Sequence, residues 1–267
     1  SPLRLLTTII TVTAGTILLM WLGELISERK VGNGVSLLIF AGIVSALPQA
    51  VGQLLVTFTK TELVNLAILA AVAVITVVAV VFITEGQRNV PVSYAKRVRG
   101  MRMYGGVNTY LPLRVNMAGV IPIIFAISII LFPPMIAQFF LRAKTLWISA
   151  LAQKTIDFFQ NQLIYGILYF VLVVGFTYFY TAVVFHPDQT AENLQKQGGF
   201  IPGIRPGKPT ADYLNFVTNR IMLAGALFLG VIAVMPLGVQ QFTGLQSLAI
   251  GGTSVLIVVS VVIETVK

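Results

Sequence analysis

Residues 63–84 read LVNLAILAAVAVITVVAVVFIT, a stretch that contains no charged side chain. A helix that crosses about 30 Å of hydrocarbon needs about 20 consecutive apolar residues, so this stretch predicts a transmembrane helix. Six further runs of similar character lie at 4–22, 36–56, 116–135, 162–184, 218–237 and 248–264. We therefore expect an all-α, polytopic helical membrane protein with about seven transmembrane helices.

The composition excludes most other classes of protein. Hydrophobic residues make up 57% of the 267 residues and charged residues only 10%, whereas soluble domains carry about 25% charged residues. The chain has no cysteine and a single histidine, His186, so we expect no disulfide and no cysteine or multi-histidine metal site. The interiors of the seven runs also lack the ionisable groups on which ion-coupled transporters and intramembrane proteases depend. We therefore expect no enzymatic activity and no cofactor.

The basic residues are distributed unevenly among the loops. If the seven runs cross the membrane alternately, 13 of the 18 Lys and Arg residues fall on one side. Short loops rich in Lys and Arg stay in the cytoplasm, so the N-terminus of the chain is predicted outside and the C-terminus inside the cell. The net charge of +9 then indicates topology in the plasma membrane and not a nucleic-acid surface.

The first long loop on the basic side runs over residues 85–115. Two short extended stretches, 90–94 and 109–113, flank a basic cluster that includes three glycines. This pattern predicts a hairpin-like arm with a basic tip. A solvated loop that merely follows the positive-inside rule is the simpler interpretation. The alternative is a docking arm for an acidic partner, because the loop is longer than orientation requires.

The second long loop runs over residues 186–212. A short helix that ends at Gly198-Gly199 is predicted first, and Thr210 is predicted to cap the helix that follows the loop. Between them, prolines and glycines at 202–209 impose a non-helical backbone around Arg205. An arginine on a rigid tip suits bidentate contact with carboxylate or phosphate, although an ordinary interfacial arginine remains the alternative.

The longest loop on the opposite side, residues 136–161, mixes aromatic side chains with basic ones. This composition is typical of a segment that lies along the membrane surface. No chemistry is indicated in it.

Several motifs, taken in chain order, resemble SecY, the channel subunit of the bacterial protein translocon. They are Met20–Glu24 followed by Gly32–Gly34, Ser93–Arg97, Val115–Pro122, Gly203–Gly207 and Gly251–Ser254. The resemblance extends over essentially the whole chain. It implies an inverted-repeat channel fold, and the similarity of Gly34–Ile39 to Gly252–Ile257 is what such a repeat would give.

The resemblance also implies where the chain belongs in a ten-helix protein. Residues 1–58 would be the end of the N-terminal half, helices four and five of the family. Residues 59–267 would be the C-terminal half, helices six to ten, with the loops 85–115 and 186–212. The chain begins with Ser1 and not with Met, and it stops at Lys267 where the last run ends, so we expect a fragment or a processed chain.

Roles for individual residues follow from the resemblance alone. It implies a pore ring of apolar side chains, a polar lateral-gate residue at Asn116, and contacts with the motor ATPase SecA or the ribosome. The ring residues are Val35, Ile39, Ile124 and Ile257, and the partner-binding residues are Lys96, Arg97, Arg99, Arg102 and Arg205. From the residues alone, each ring position would be ordinary helix packing and Asn116 a simple interhelical hydrogen bond.

The function implied is a protein-conducting channel that translocates unfolded secretory proteins and inserts membrane proteins. The partners implied are SecE and SecG-type small subunits, SecA, the ribosome, the secretory preprotein and membrane lipid. Two alternatives stay open on the residues alone. The chain could belong to another polytopic permease or lipid transporter, or to an inactive scaffold paralogue.

Overall fold

The computed structural model describes residues 2–30, 32–57, 63–94, 97–99, 102–104, 108–141, 145–243 and 251–266. These residues form helices and a few short strands in the following order: α1 Pro2–Glu28, α2 Gly34–Thr57, α3 Leu63–Glu85, β1 Gln87–Tyr94, β2 Arg97–Arg99, β3 Arg102–Tyr104, β4 Asn108–Arg114, α4 Ile121–Phe140, α5 Leu146–Gln160, α6 Gln162–Val184, α7 Pro187–Lys196, β5 Gly199–Phe200, α8 Lys208–Thr243 and α9 Gly251–Val266.

A helix occupies each of the seven predicted spans. Among the described residues, α1, α4, α6 and α8 are long and apolar enough to cross a membrane. The predicted spans 36–56 and 63–84 correspond to α2 and α3. The predicted span 248–264 corresponds to α9 from Gly251 onward, and residues 248–250 lie outside the described residues. The prediction for the fourth span was wrong at its start, because α4 begins at Ile121 and not at 116. Pro122 is at the start of this helix, where its missing amide hydrogen costs nothing.

The chain divides into two compact units, of which the first comprises Ser1–Val81 and Leu245–Lys267. Within it α1 contacts α2, and α2 contacts α9. Glycines allow the first contact, since a Cβ on Gly34 would overlap the carbonyl oxygen of Gly23. Small residues at a crossing let helix backbones approach closely, which is how apolar helices gain packing energy in lipid.

The second unit comprises Phe82–Gly244 and is organised around α6. This helix packs against α8 and against α4, while α5 lies against α4 and α6. Its core contains Ile123, Val173 and Ala226, which are fully buried. One polar contact joins the ends of two helices, because Gln162 Nε2 donates to the Leu237 carbonyl oxygen at 3.0 Å.

The strands are confined to the two long loops, so the expectation of a helical protein holds for the membrane part. β4, β1 and β5 form one antiparallel sheet, and β2 pairs with β3. The segment 136–161, which was predicted to lie along the membrane surface, contains the end of α4 and the whole of α5.

Candidate functional site

The base of the first loop is a two-stranded antiparallel ribbon, as predicted. β1 pairs with β4 in a register that sets Val90 opposite Leu111 and Ser93 opposite Asn108. Val90 and Val92 point to one face of the ribbon and are buried, which is the period of two that a half-buried strand requires. Ser93 Oγ also donates to Asn108 Oδ1 at 3.0 Å. The arm therefore leaves the helices as a fixed structure.

The basic tip of this arm is a second ribbon. β2 pairs with β3, and the register sets Arg97 opposite Tyr104 and Arg99 opposite Arg102. Arg99 and Arg102 thus occupy directly paired backbone positions. Lys96 lies outside the described residues, as do the side chains of the three arginines.

A contact that the sequence did not predict joins the two loops. The short strand β5 of the second loop pairs with the end of β1, setting Gly199 opposite Tyr94 and Phe200 opposite Ser93. Gly199 fits closely there, because a Cβ at this position would lie 3.0 Å from Cε1 of Tyr94 and 3.3 Å from the Leu194 carbonyl oxygen. A strand of two residues has no periodicity of its own, so no local signal in the sequence could have indicated this pairing.

The two loops also share one hydrophobic core. Its buried members come from β1, β4, the second loop and α8, namely Val90, Leu113, Ile201 and Leu214. Ile204, next to Arg205, is partly buried and packs against this core. The base of the first loop, the second loop and the start of α8 therefore form one folded body.

The loop that carries Arg205 is held in place by its backbone. Gly203 and Gly207 have φ values of +84° and +98°, which only glycine adopts readily. The amide of Ile204 donates to the carbonyl oxygen of Ile201 at 3.0 Å. Buried Thr210 donates from Oγ1 to the carbonyl oxygen of Arg205 at 2.8 Å. The prediction that Thr210 caps α8 was wrong, because α8 begins at Lys208 and the hydroxyl turns back into the loop.

The guanidinium of Arg205 is exposed and available to a partner. Within the described residues it has no carboxylate within ion-pair distance, whereas Glu192 and Lys196 on α7 form a pair at 2.8 Å. The hydrogen bond and the positive charge of Lys196 lower the pKa of the Glu192 carboxyl. That carboxylate is thus already paired, and the second loop presents an unpaired arginine on a rigid backbone.

Asn116 lies in the turn before α4. Its side chain is buried and donates from Nδ2 to the Gly119 carbonyl oxygen at 3.3 Å. Gly119 has a φ of +63°, which shapes this turn. In the part of the chain that the structure describes, Asn116 Oδ1 is buried without a hydrogen-bond partner. An unsatisfied buried amide oxygen costs about 1–3 kcal/mol, so this atom is suited to receiving a donor from elsewhere.

The four predicted pore residues lie in both units. Val35, which is exposed, and Ile39, which is partly buried, are four residues apart on α2 and hence on one face of it. Ile257 is buried on α9, the helix that α2 contacts. Ile124 belongs to α4 in the second unit and is partly buried. The ring that they would form together stays a prediction.

These features define a class of protein. It is a polytopic helical membrane protein in which two loops combine into a folded body that carries basic side chains. Across the described ranges, no three His, Cys, Asp or Glu side chains come together as metal ligands would.

The family model described as SecY matches residues 2–266, and the chain belongs to the SecY family. Over 273 residues it is 48% identical to the protein translocase subunit SecY of Mycobacterium tuberculosis, covering 100% of this chain and 61% of that protein. The corresponding subunit of Corynebacterium glutamicum is 47% identical over 278 residues, covering 98% of this chain and 61% of the relative. The chain thus spans about 61% of the length of these curated relatives.

Solved structures support the fold. A structure described as that of a protein conducting channel superposes with a TM-score of 0.63 at 19% identity, covering 100% of this chain and 65% of the other. A structure of the SecY protein, described for the role of its plug domain, superposes with a TM-score of 0.62 at 19% identity, covering 100% of this chain and 66% of the other. At this identity the likeness concerns the fold alone.

Proposed function

We propose that this chain is part of a protein-conducting channel that translocates unfolded secretory proteins and inserts membrane proteins into the plasma membrane. The observation that carries the proposal is the match to the SecY family over residues 2–266. The chain carries out no chemical reaction in this proposal. Energy comes from partners that push the substrate, and the chain supplies the docking surface and the path.

Docking takes place on the body formed by the two loops. SecA or the ribosome approaches the basic tip, where Arg97, Arg99 and Arg102 attract acidic protein surface or RNA phosphate. Lys96 adds to this charge. Arg205 then makes a directional contact, because a guanidinium on a fixed backbone presents two parallel donors to a carboxylate or a phosphate.

The conducting path is closed by an apolar ring. Val35 and Ile39 on α2, Ile257 on α9 and Ile124 on α4 supply it. A narrow apolar constriction excludes hydrated ions because they lose water there without compensation. The same aliphatic side chains are able to part around an extended polypeptide.

Lateral exit involves Asn116. The unpartnered Oδ1 of its buried side chain supports a gate that is closed by a hydrogen bond from another segment. Hydrogen bonds between membrane helices contribute about 0.6–2 kcal/mol. The contacts that a signal sequence makes on entering the gate are able to compensate for the loss of one such hydrogen bond.

The remaining assignments complete the proposal. Residues 1–58 close the N-terminal half of the channel and 59–267 form the C-terminal half. The two long loops face the cytoplasm, with the N-terminus of the chain outside and the C-terminus inside. SecE and SecG-type small subunits complete the complex, and the surrounding partner is membrane lipid.

A charge reversal at Arg205 tests the docking step. We expect Arg205→Glu in the full-length protein to abolish secretion of a reporter preprotein while the variant still accumulates in the membrane. Lys208→Glu is the matched control, since this exposed residue lies three positions away and the substitution reverses the charge in the same way. Normal export by Arg205→Glu, or equal loss with Lys208→Glu, would contradict a specific role for Arg205.

A further inference from the structure

A groove lies between α4 and α5, outside the proposed path and outside the docking body. It has a volume of about 500 Å³, which falls within the roughly 300–1,000 Å³ of small-molecule pockets. Its walls come from the last turns of α4 and the first three turns of α5. They include Phe132, Ile136 and Phe140 on α4, and Trp147, Leu151 and Thr155 on α5.

The chemistry of the walls selects an apolar occupant. Among the described lining residues, the polar side-chain groups are the Thr155 hydroxyl and the Trp147 indole N–H, and the hydroxyl already donates to the carbonyl oxygen of Leu151 at 3.0 Å. A polar ligand would find few hydrogen-bond partners in the groove to replace the water that it loses. An alkyl chain gives up no hydrogen bond when it enters the groove, and it packs well against aromatic and aliphatic walls.

The exposed side of α5 continues the groove as a stripe. Trp147, Leu151 and Phe158 are 72%, 55% and 46% exposed, and their spacing of four and seven residues places them on one face. Lys154 falls on the same stripe and is exposed. Tryptophan beside lysine on an otherwise apolar stripe is typical of the boundary between hydrocarbon and headgroups.

Charge complementarity defines the headgroup. Lys154 has no ion-pair partner within the described ranges. The nearest carboxylate along the helix, Asp157, is engaged by Gln153, whose Nε2 donates to Oδ1 at 2.8 Å. Both of these residues lie about 60–100° around the helix from Lys154. Among the described residues at the edge of the groove, Lys154 is therefore the positive charge without an ion-pair partner, and it complements a phosphodiester.

We propose that the groove between α4 and α5 binds an acyl chain of one anionic phospholipid, with the headgroup at Lys154. The neighbouring helix α4 is long and apolar enough to cross the membrane, so the groove lies at the end of a membrane span, where lipid is at high concentration. The occupant tethers α5 to the membrane surface. This site is independent of the translocation function.

The two tryptophans of the chain, Trp21 and Trp147, provide the measurement. In Trp21→Phe, with any tryptophan outside residues 1–267 also replaced by phenylalanine, Trp147 is the single reporter, and lipids with bromine atoms on their acyl chains quench it on contact. The full-length protein is reconstituted in vesicles that contain either brominated phosphatidylglycerol or brominated phosphatidylcholine, each mixed with its unbrominated form. We expect quenching of Trp147 to report about fivefold stronger binding of phosphatidylglycerol, the preference that one basic residue near a membrane surface gives.

Two variants and one control assign that preference to the groove. Lys154→Gln should bring the preference down towards onefold without altering the packed face of α5. Thr155→Phe should fill the groove and remove the tightly bound component for both lipids. In the control, Trp147→Phe with the same replacements outside residues 1–267 leaves Trp21, which is 56% exposed on α1, and it should show no preference between the lipids. Equal quenching of Trp147 by both lipids, or a fivefold preference that survives Lys154→Gln, would overturn the proposal.

Discussion

Replacing Thr210 with valine tests whether the loop of Arg205 is held from inside. Thr210 is 2% exposed, and its Oγ1 donates to the Arg205 carbonyl oxygen at 2.8 Å. Valine has the same shape as threonine, so Thr210→Val removes this hydrogen bond and leaves no cavity. The amides of Ile204 and Thr210, which bond within the same loop, then report how often the loop opens.

The expected magnitude follows from the bond that is lost. A neutral hydrogen bond contributes about 0.5–1.5 kcal/mol net, so the open population of the loop should rise about fivefold. Hydrogen exchange followed by mass spectrometry on peptides covering 200–212 measures this rise directly. Binding of a docking partner should weaken by a smaller factor, because the guanidinium itself is unchanged.

A matched control distinguishes the loss of the Thr210 hydrogen bond from a general effect of replacing threonine with valine. Thr190 Oγ1 donates to the His186 carbonyl oxygen at 3.0 Å on α7, in the same long loop but at an exposed position. We expect Thr190→Val to leave exchange at 200–212 unchanged. An unchanged exchange rate in Thr210→Val, or an equal rise in both variants, would refute the account of a loop anchored by Thr210.

Two further predictions concern the helices. Gly34→Ala should lower the apparent melting temperature of the protein in detergent, by an amount equivalent to about 1–3 kcal/mol of overpacking, because its Cβ would overlap the Gly23 carbonyl oxygen. Gly42→Ala on the same helix, where a Cβ meets nothing within 4 Å among the described residues, should be neutral or stabilising, and a similar loss in both variants would contradict the close crossing. Asn116→Leu should loosen the proposed gate by about 0.6–2 kcal/mol. It should increase export of a preprotein with a defective signal sequence, and unchanged export would count against the gate.

The helices were predictable because long apolar runs are local signals. The run 63–84 became Leu63–Glu85, and 162–184 became Gln162–Val184. The arm was predictable for the same reason, since its alternating residues at 90–94 are adjacent in the chain. The residues at which helices begin were less predictable where a turn precedes the helix. At Asn116 the chain forms a turn with Gly119 in the left-handed region, and α4 therefore begins only at Ile121.

Long-range contacts gave no such signal. β5 pairs with β1 across about 100 residues of chain, and two residues of strand carry no pattern. Thr210 is a residue type that often caps a helix, and the sequence therefore predicted that role. In the structure its hydroxyl donates to the Arg205 carbonyl oxygen, because the preceding turn places that oxygen within hydrogen-bond distance. The non-helical backbone around Arg205 was predictable from its prolines and glycines, whereas the core that supports this loop was not.

The central claim is that α4 contributes to a protein-conducting path, and photo-crosslinking at Ile124 tests it most directly. A photoreactive residue is placed at Ile124 in the full-length protein while a secretory chain is arrested in transit. Ile129 is the control, because it lies on the opposite side of α4 and is 46% exposed. We predict crosslinks to the arrested chain from Ile124 and none from Ile129. Absence of crosslinks at Ile124, and equally at Ile39 and Ile257, would contradict the account and leave these residues with packing roles only.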